Sequence, residues 1–203
     1  MFVKLCGLRT ESDVAVAVET GADAVGFVLT ASPRQIDADL ARTLVAAVPD
    51  HVLTVAVVRG ISAAEAGELA LKTGVRALQL HGDYPKEAFD ELAGLPFQLV
   101  RATALGPATD VRTGAFGEEL LLIDSPVAGS GEQWDISRLD ENRPSGRWVL
   151  AGGLAPETVA GAIGVARPWG VDVSSGIESS RGVKDHARMR EFVAAARQAP
   201  QVT

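Results

Sequence analysis

A chain of 203 residues with 47% hydrophobic and 22% charged side chains is long enough to bury one core and has the composition of a soluble globular protein. Its formal charge of -7 argues against nucleic acid or an anionic membrane as the main partner, and no apolar run nears the roughly 18–20 residues of a membrane span. One cysteine excludes an internal disulfide. With no secretion signal after Met1, the expected setting is a reducing cytoplasm.

Taken in chain order, short apolar runs at 3–8, 24–29, 53–58, 77–80, 98–102, 120–124, 148–151 and 170–173 read as strands. They are rich in Val, Leu and Ile and mostly lack polar alternation, as parallel strands covered on both faces should. Amphipathic, often Ala-rich segments lie between them, at about 12–21, 38–48, 62–74, 85–92, 156–165 and 184–197. Ser62-Ala-Ala-Glu65 has capping-box spacing, and Gly74 is the matching stop. Segment 106–114 is rich in breakers, so the helix after the fifth strand is expected to be short or missing. The one after the sixth, about 136–141, should be brief. Strand–helix alternation means a parallel sheet, and eight units suit closure better than an open sheet with bare edges. The prediction is an α/β fold, a single (βα)8 TIM barrel over residues 1–203.

In such a barrel the strand C-termini and the loops after them form the active face. The first strand carries Lys4-Leu-Cys6-Gly7 there, with Gly7 leaving room beside the sulfur, and the sixth closes on Asp124. A lone cysteine is as readily a small buried hydrophobe, and a strand-closing Asp a loop cap. As a pair across the mouth they would flank a small molecule. The seventh and eighth strands run into Gly152-Gly153-Leu154 and into Asp172-Val-Ser174-Ser175-Gly176. Turn formation accounts for either glycine loop alone. Together, at adjacent strands of this fold, they form a cluster of N–H donors suited to phosphate.

Three further positions stand out. Arg34, behind Ser32-Pro33, is either a solvated cation or a fork for a carboxylate. Ala128-Gly-Ser-Gly131 reads as a flap or a plain linker. His81, in Gln79-Leu-His81-Gly82, has no second His or Cys at ligand spacing. It is read as structural, and no metal or cofactor is expected.

Taken in order, these motifs resemble the phosphoribosylanthranilate isomerase family of tryptophan biosynthesis. The residues that carry the resemblance are Lys4-Leu-Cys6-Gly7, Gly21-Ala-Asp-Ala-Val-Gly-Phe27, Ser32-Pro-Arg34, Gln79-Leu-His81-Gly82, Leu122-Ile-Asp124, Ala151-Gly152-Gly153-Leu154 and Gly170-Val-Asp-Val-Ser-Ser-Gly176. The resemblance implies an enzyme, an aldose–ketose isomerase that performs an Amadori rearrangement on N-(5′-phosphoribosyl)anthranilate. It implies Cys6 as general base and Asp124 as general acid. Arg34 would meet the anthranilate carboxylate, and Asp172 the sugar hydroxyls. Gly152, Gly153, Ser175 and Gly176 would lie in the phosphate loops. The partner is then a phosphorylated small molecule, with monomer and homodimer both open.

Burial should raise the pKa of Asp124, which otherwise titrates near ~3.9, and Lys4 should help Cys6 to the thiolate. Two stretches depart from the family pattern. The third strand ends in Arg59-Gly60 where the family usually has a Phe and an Asn, and the loop 127–135 lacks the usual Phe-Asp-Trp ending. Two rivals remain. One is the histidine-pathway ribonucleotide isomerase, which uses a carboxylate on its first strand. The other is a barrel that binds phosphate esters without turning them over.

Overall fold

In the computed structural model, which describes residues 1–125 and 135–199, eight parallel strands pair in sequence order and the eighth closes on the first. They are β1 (Phe2–Cys6), β2 (Ala24–Val28), β3 (Leu53–Val58), β4 (Ala77–His81), β5 (Gln98–Ala104), β6 (Leu120–Asp124), β7 (Trp148–Leu150) and β8 (Gly170–Val173). Helices α1 (Glu11–Glu19), α2 (Ala38–Ala46), α3 (Ala63–Thr73), α4 (Lys86–Leu92), α5 (Val159–Ala166) and α6 (His186–Gln198) pack outside. The period of two along each strand sorts the core into two layers. Leu5, Phe27, Val58, Leu80, Ile123 and Val173 point outward to the helices. Cys6, Val57, Ala77, Ala102, Leu122 and Ala151 fill the interior.

The capping box at Ser62 and Glu65 forms as its spacing predicts, and α3 ends at Gly74 in the left-handed region. A second box, Thr10 with Asp13, opens α1.

Among the described residues there is no helix between β5 and β6. The connection covers its strand with side chains instead. Arg101 donates Nε to Glu118 Oε1 at 2.8 Å, both residues buried, and its guanidinium lies 4.4 Å from the Phe116 ring centre. Asn142 donates to the carbonyls of Gly106 and Thr109, satisfying backbone that a helix would have paired. After β6 the described residues form a 3₁₀ stretch, Ile136–Asp140. The flap expected at 128–131 lies outside the described residues.

One stretch departs from the expected pattern. Lys184 was expected to open the last helix, but the chain makes a small hairpin first, β9 (Glu178–Ser180) with β10 (Val183–Lys184). Asp185 then caps α6 through the Ala187 and Arg188 amides. The hairpin carries the Lys184 side chain back toward the barrel mouth. Helical periodicity downstream of it could not reveal that.

Candidate active site

The mouth of the barrel holds a cavity of about 270 Å³. Cys6, Arg34, Asp124, Gly152, Asp172 and Ser175 all line it, drawn from the ends of β1, β2, β6, β7 and β8. The sulfur and the carboxyl, far apart in sequence, thus face one pocket because both occupy interior positions of their strands. Gly153 and Gly176 each sit one residue beyond a lining residue.

At the floor of the pocket, Asp172 and the deeper Lys4 are register partners on β8 and β1, joined at 2.9 Å and almost completely buried. Burial alone would favour the neutral amine. Attraction to Asp172 and Cys6 outweighs it and raises the Lys4 pKa, while burial, opposed by Lys4, also raises that of Asp172. Cys6 lies two residues nearer the mouth. Burial pushes its thiol above the ordinary range, and Lys4 pulls the other way without prevailing. Lys4 thus favours the Cys6 thiolate, as the sequence suggested, but burial outweighs it and the nearby Asp172 carboxylate adds to the rise. The room beside the sulfur is also supplied differently. A Cβ at Gly26, the register partner of Cys6, would lie 2.8 Å from Sγ. That gives a physical reason for the glycine in Ala-Val-Gly-Phe27.

Asp124 behaves as expected. Burial raises its pKa, opposed by a hydrogen bond from the Ser125 amide and by the charges of Lys4 and Arg59. Oδ1 accepts that amide at 2.7 Å, and Oδ2 lies 3.4 Å from His81 Nε2. Burial, together with Arg59 and Lys4, holds the His81 pKa down at about 4, so the imidazole is neutral at pH 7. Gln79 Nε2 stands 3.4 Å from His81 Nδ1. His81, read from sequence as structural, is thus part of the cavity wall beside the carboxyl.

The glycine loops turn out to serve packing before they serve any ligand. Gly152 has φ +84°, and a Cβ there would strike the Ser125 amide at 2.5 Å and Asp124 Oδ1 at 2.9 Å. Its absent side chain is what lets Asp124 sit where it does. A Cβ at Gly176 would lie 1.9 Å from the Leu154 carbonyl oxygen, so the loops after β7 and β8 are in direct contact.

Sequence reasoning missed Glu178. Its carboxylate takes Arg34 Nε at 2.6 Å and Nη2 at 3.0 Å, and Lys184 Nζ at 2.9 Å. Burial would raise its pKa, but these partners overcome it and hold it at about 2. Lys184 also donates to the Ser174 carbonyl, and Ser174 Oγ donates to the Cys6 carbonyl. Arg34 is therefore buried and oriented, not a solvated cation. Its position right after the family-like glycine loop is the only sequence signal Glu178 offered.

Fold and site together define a (βα)8-barrel enzyme with a thiol and a carboxyl at the catalytic face and paired glycine loops after β7 and β8. A family model described as N-(5′-phosphoribosyl)anthranilate isomerase matches residues 3–195. The curated N-(5′-phosphoribosyl)anthranilate isomerase of Pseudomonas fluorescens is 40% identical over 96% of this chain and 97% of its own. The crystal structure of TrpF from Jonesia denitrificans is similar at TM-score 0.90 and 46% identity, covering 98% of each chain. A phosphoribosyl anthranilate isomerase in complex with reduced 1-(o-carboxyphenylamino)-1-deoxyribulose 5-phosphate is similar at TM-score 0.80 and 32% identity, covering 97% of this chain and 98% of that one. The chain belongs to the N-(5′-phosphoribosyl)anthranilate isomerase family.

Proposed function

We propose that this enzyme isomerises N-(5′-phosphoribosyl)anthranilate to 1-(2-carboxyphenylamino)-1-deoxyribulose 5-phosphate, the Amadori rearrangement of tryptophan biosynthesis, with Asp124 as general acid and Cys6 as general base. The observation that carries the role assignment is that these two groups line one cavity at the catalytic face. Asp124 protonates the ribose ring oxygen while the anilino nitrogen lone pair expels it, opening the ring to an iminium. Cys6 thiolate then takes the C2′ proton, and the electron pair of that bond neutralises the iminium to give an enolamine. Loss of the enol proton and gain of one at C1′ complete the ketone, so no electrons enter or leave.

The phosphate lies at the loops of Gly152, Gly153, Ser175 and Gly176, the usual anion site after the last two strands of this fold. Asp172 serves the sugar hydroxyls, held ready by Lys4. Glu178 occupies the Nε/Nη2 edge of Arg34, so Arg34 meets the anthranilate carboxylate through the end of its guanidinium. A thiol that must stay reduced suits the cytoplasm.

The direct test is rescue of a tryptophan auxotroph lacking this isomerase, with Asp124→Asn as the control. Growth with the wild-type gene and none with the variant is expected. Failure of the soluble wild-type protein both to rescue and to turn over the substrate would end the proposal. Arg34→Ala should raise KM before it affects kcat, because the contact is made in ground and transition states alike. An unchanged KM in steady-state assays would mean that the anthranilate end is held elsewhere.

A further inference from the structure

The substrate proposed above has two anionic ends, and the inference drawn here rests on that reading. Its phosphate is assigned to the β7–β8 side of the mouth. In a closed ring of eight strands paired in order, β3 and β4 lie opposite β7 and β8. An extended ligand anchored at one side therefore points its aromatic end toward the other.

At that opposite rim stands Arg59, the first residue after β3. Its side chain is exposed and lines the central cavity. It also lines an adjoining recess of about 410 Å³ that shares His81, Asp124 and Ser125 with the cavity. Its backbone amide is tied to Thr30 Oγ1 at 2.9 Å, which fixes the strand end. Its guanidinium has no hydrogen-bond or ion-pair partner among the described residues, and its charge reaches into the site, where it acts on both His81 and Asp124.

The neighbouring cation is in a different condition. Arg34, on the loop after β2, has given its Nε/Nη2 edge and much of its charge to Glu178. Only the end of that guanidinium remains for a ligand, beside an acid that repels anions. Arg181 lines the cavity too, but it lies in the β9–β10 turn, on the β8 side near Pro33, where the neighbouring Gly182 packs on the Pro33 carbonyl. Among the described residues, Arg59 is the rim cation that lies opposite the phosphate loops without a hydrogen-bond or ion-pair partner.

We infer that Arg59 is a second carboxylate-binding residue, taking the ring carboxylate of the substrate together with the free end of Arg34, and so selects for an ortho-carboxylated aromatic amine. Nothing in the motif resemblance assigns it this role. A guanidinium matches a carboxylate with two parallel N–H donors, a geometry that an ammonium cannot reproduce.

The test is a pair of non-reacting ligands titrated by calorimetry: reduced 1-(o-carboxyphenylamino)-1-deoxyribulose 5-phosphate and its phenylamino counterpart lacking the ring carboxylate. Arg59→Gln should weaken the carboxylated ligand roughly 10- to 100-fold, as for loss of a charge-assisted contact. It should leave the other within about twofold, and Arg59→Lys should restore only part. Equal weakening of both ligands would mean that Arg59 acts through a general field, and no weakening of either that it is a bystander. Both outcomes overturn the inference. If the wild-type enzyme itself fails to bind the carboxylated ligand, the substrate assignment has failed instead.

Discussion

Asp124→Asn is expected to lower kcat by at least about 10²-fold with only a modest change in KM. The amide keeps the shape of the carboxyl and the position beside the Ser125 amide, so the cavity and the fold should survive. What it lacks is an acidic proton. A change of 10²-fold corresponds to about 2.7 kcal/mol of transition-state stabilisation, within the usual contribution of a positioned general acid. Steady-state kinetics on a variant with an unaltered thermal transition provides the measurement. Turnover within severalfold of wild type would remove Asp124 from the mechanism.

The pH profile gives a second readout of the same residue. Burial raises the pKa of Asp124 from that of an ordinary carboxylate and the pKa of Cys6 from that of an ordinary thiol. The reactive form has Asp124 protonated and Cys6 ionised. Between the two pKa values it differs from the dominant form only in where one proton sits, so its share is constant there and falls outside them. The expected kcat/KM profile is therefore a plateau with an acid limb set by Asp124 and an alkaline limb set by Cys6. In Asp124→Asn the acid limb disappears, and the residual rate should climb with pH toward the pKa of Cys6. A residual rate that kept the wild-type plateau would show that another pair of groups controls it.

Cys6→Ser should cost at least as much, about 10²-fold or more in kcat with KM little changed. The hydroxyl fills the same space under Gly26 but is far too weakly acidic to supply a base, whereas the thiol, even raised by burial, retains access to the thiolate. Charged Lys4 lies one layer below and favours the anion once it forms. Removing that ammonium would also leave Asp172 buried without its partner, so the serine variant is the cleaner probe. Near-normal turnover in purified Cys6→Ser, checked by mass to exclude wild-type carry-over, would cancel the base assignment.

Much of this molecule could be read from its residues. Eight β-branched and Leu-rich runs at regular spacing, each followed by helix signals, specify parallel pairing, and closure follows from the cost of bare edges. The breaker-rich stretch 106–114 foretold the absent helix after β5, because Pro and paired Gly cannot sustain one. Cys6, Asp124 and the two glycine loops were visible as polar or small residues at the ends of apolar strands.

The rest depends on distances between segments that sequence does not encode locally. Strand periodicity says that Cys6 shares a side with Lys4, but only the closed ring shows that this side is the interior and that Asp172 is the partner of Lys4. The raised pKa of Cys6 follows first from its burial in that interior, against the pull of Lys4, and composition gives no hint of it. Glu178 reaches Arg34, and Lys184 reaches Glu178, only because a short hairpin, hidden ahead of a helical pattern, folds back over the mouth. The acid is likewise placed by the missing side chain of Gly152, one strand away. Local propensity and hydrophobic period chose the barrel, since each acts over a few neighbouring residues. The charge states of its mouth arise from burial and contacts between remote strands, which exist only once the ring has closed.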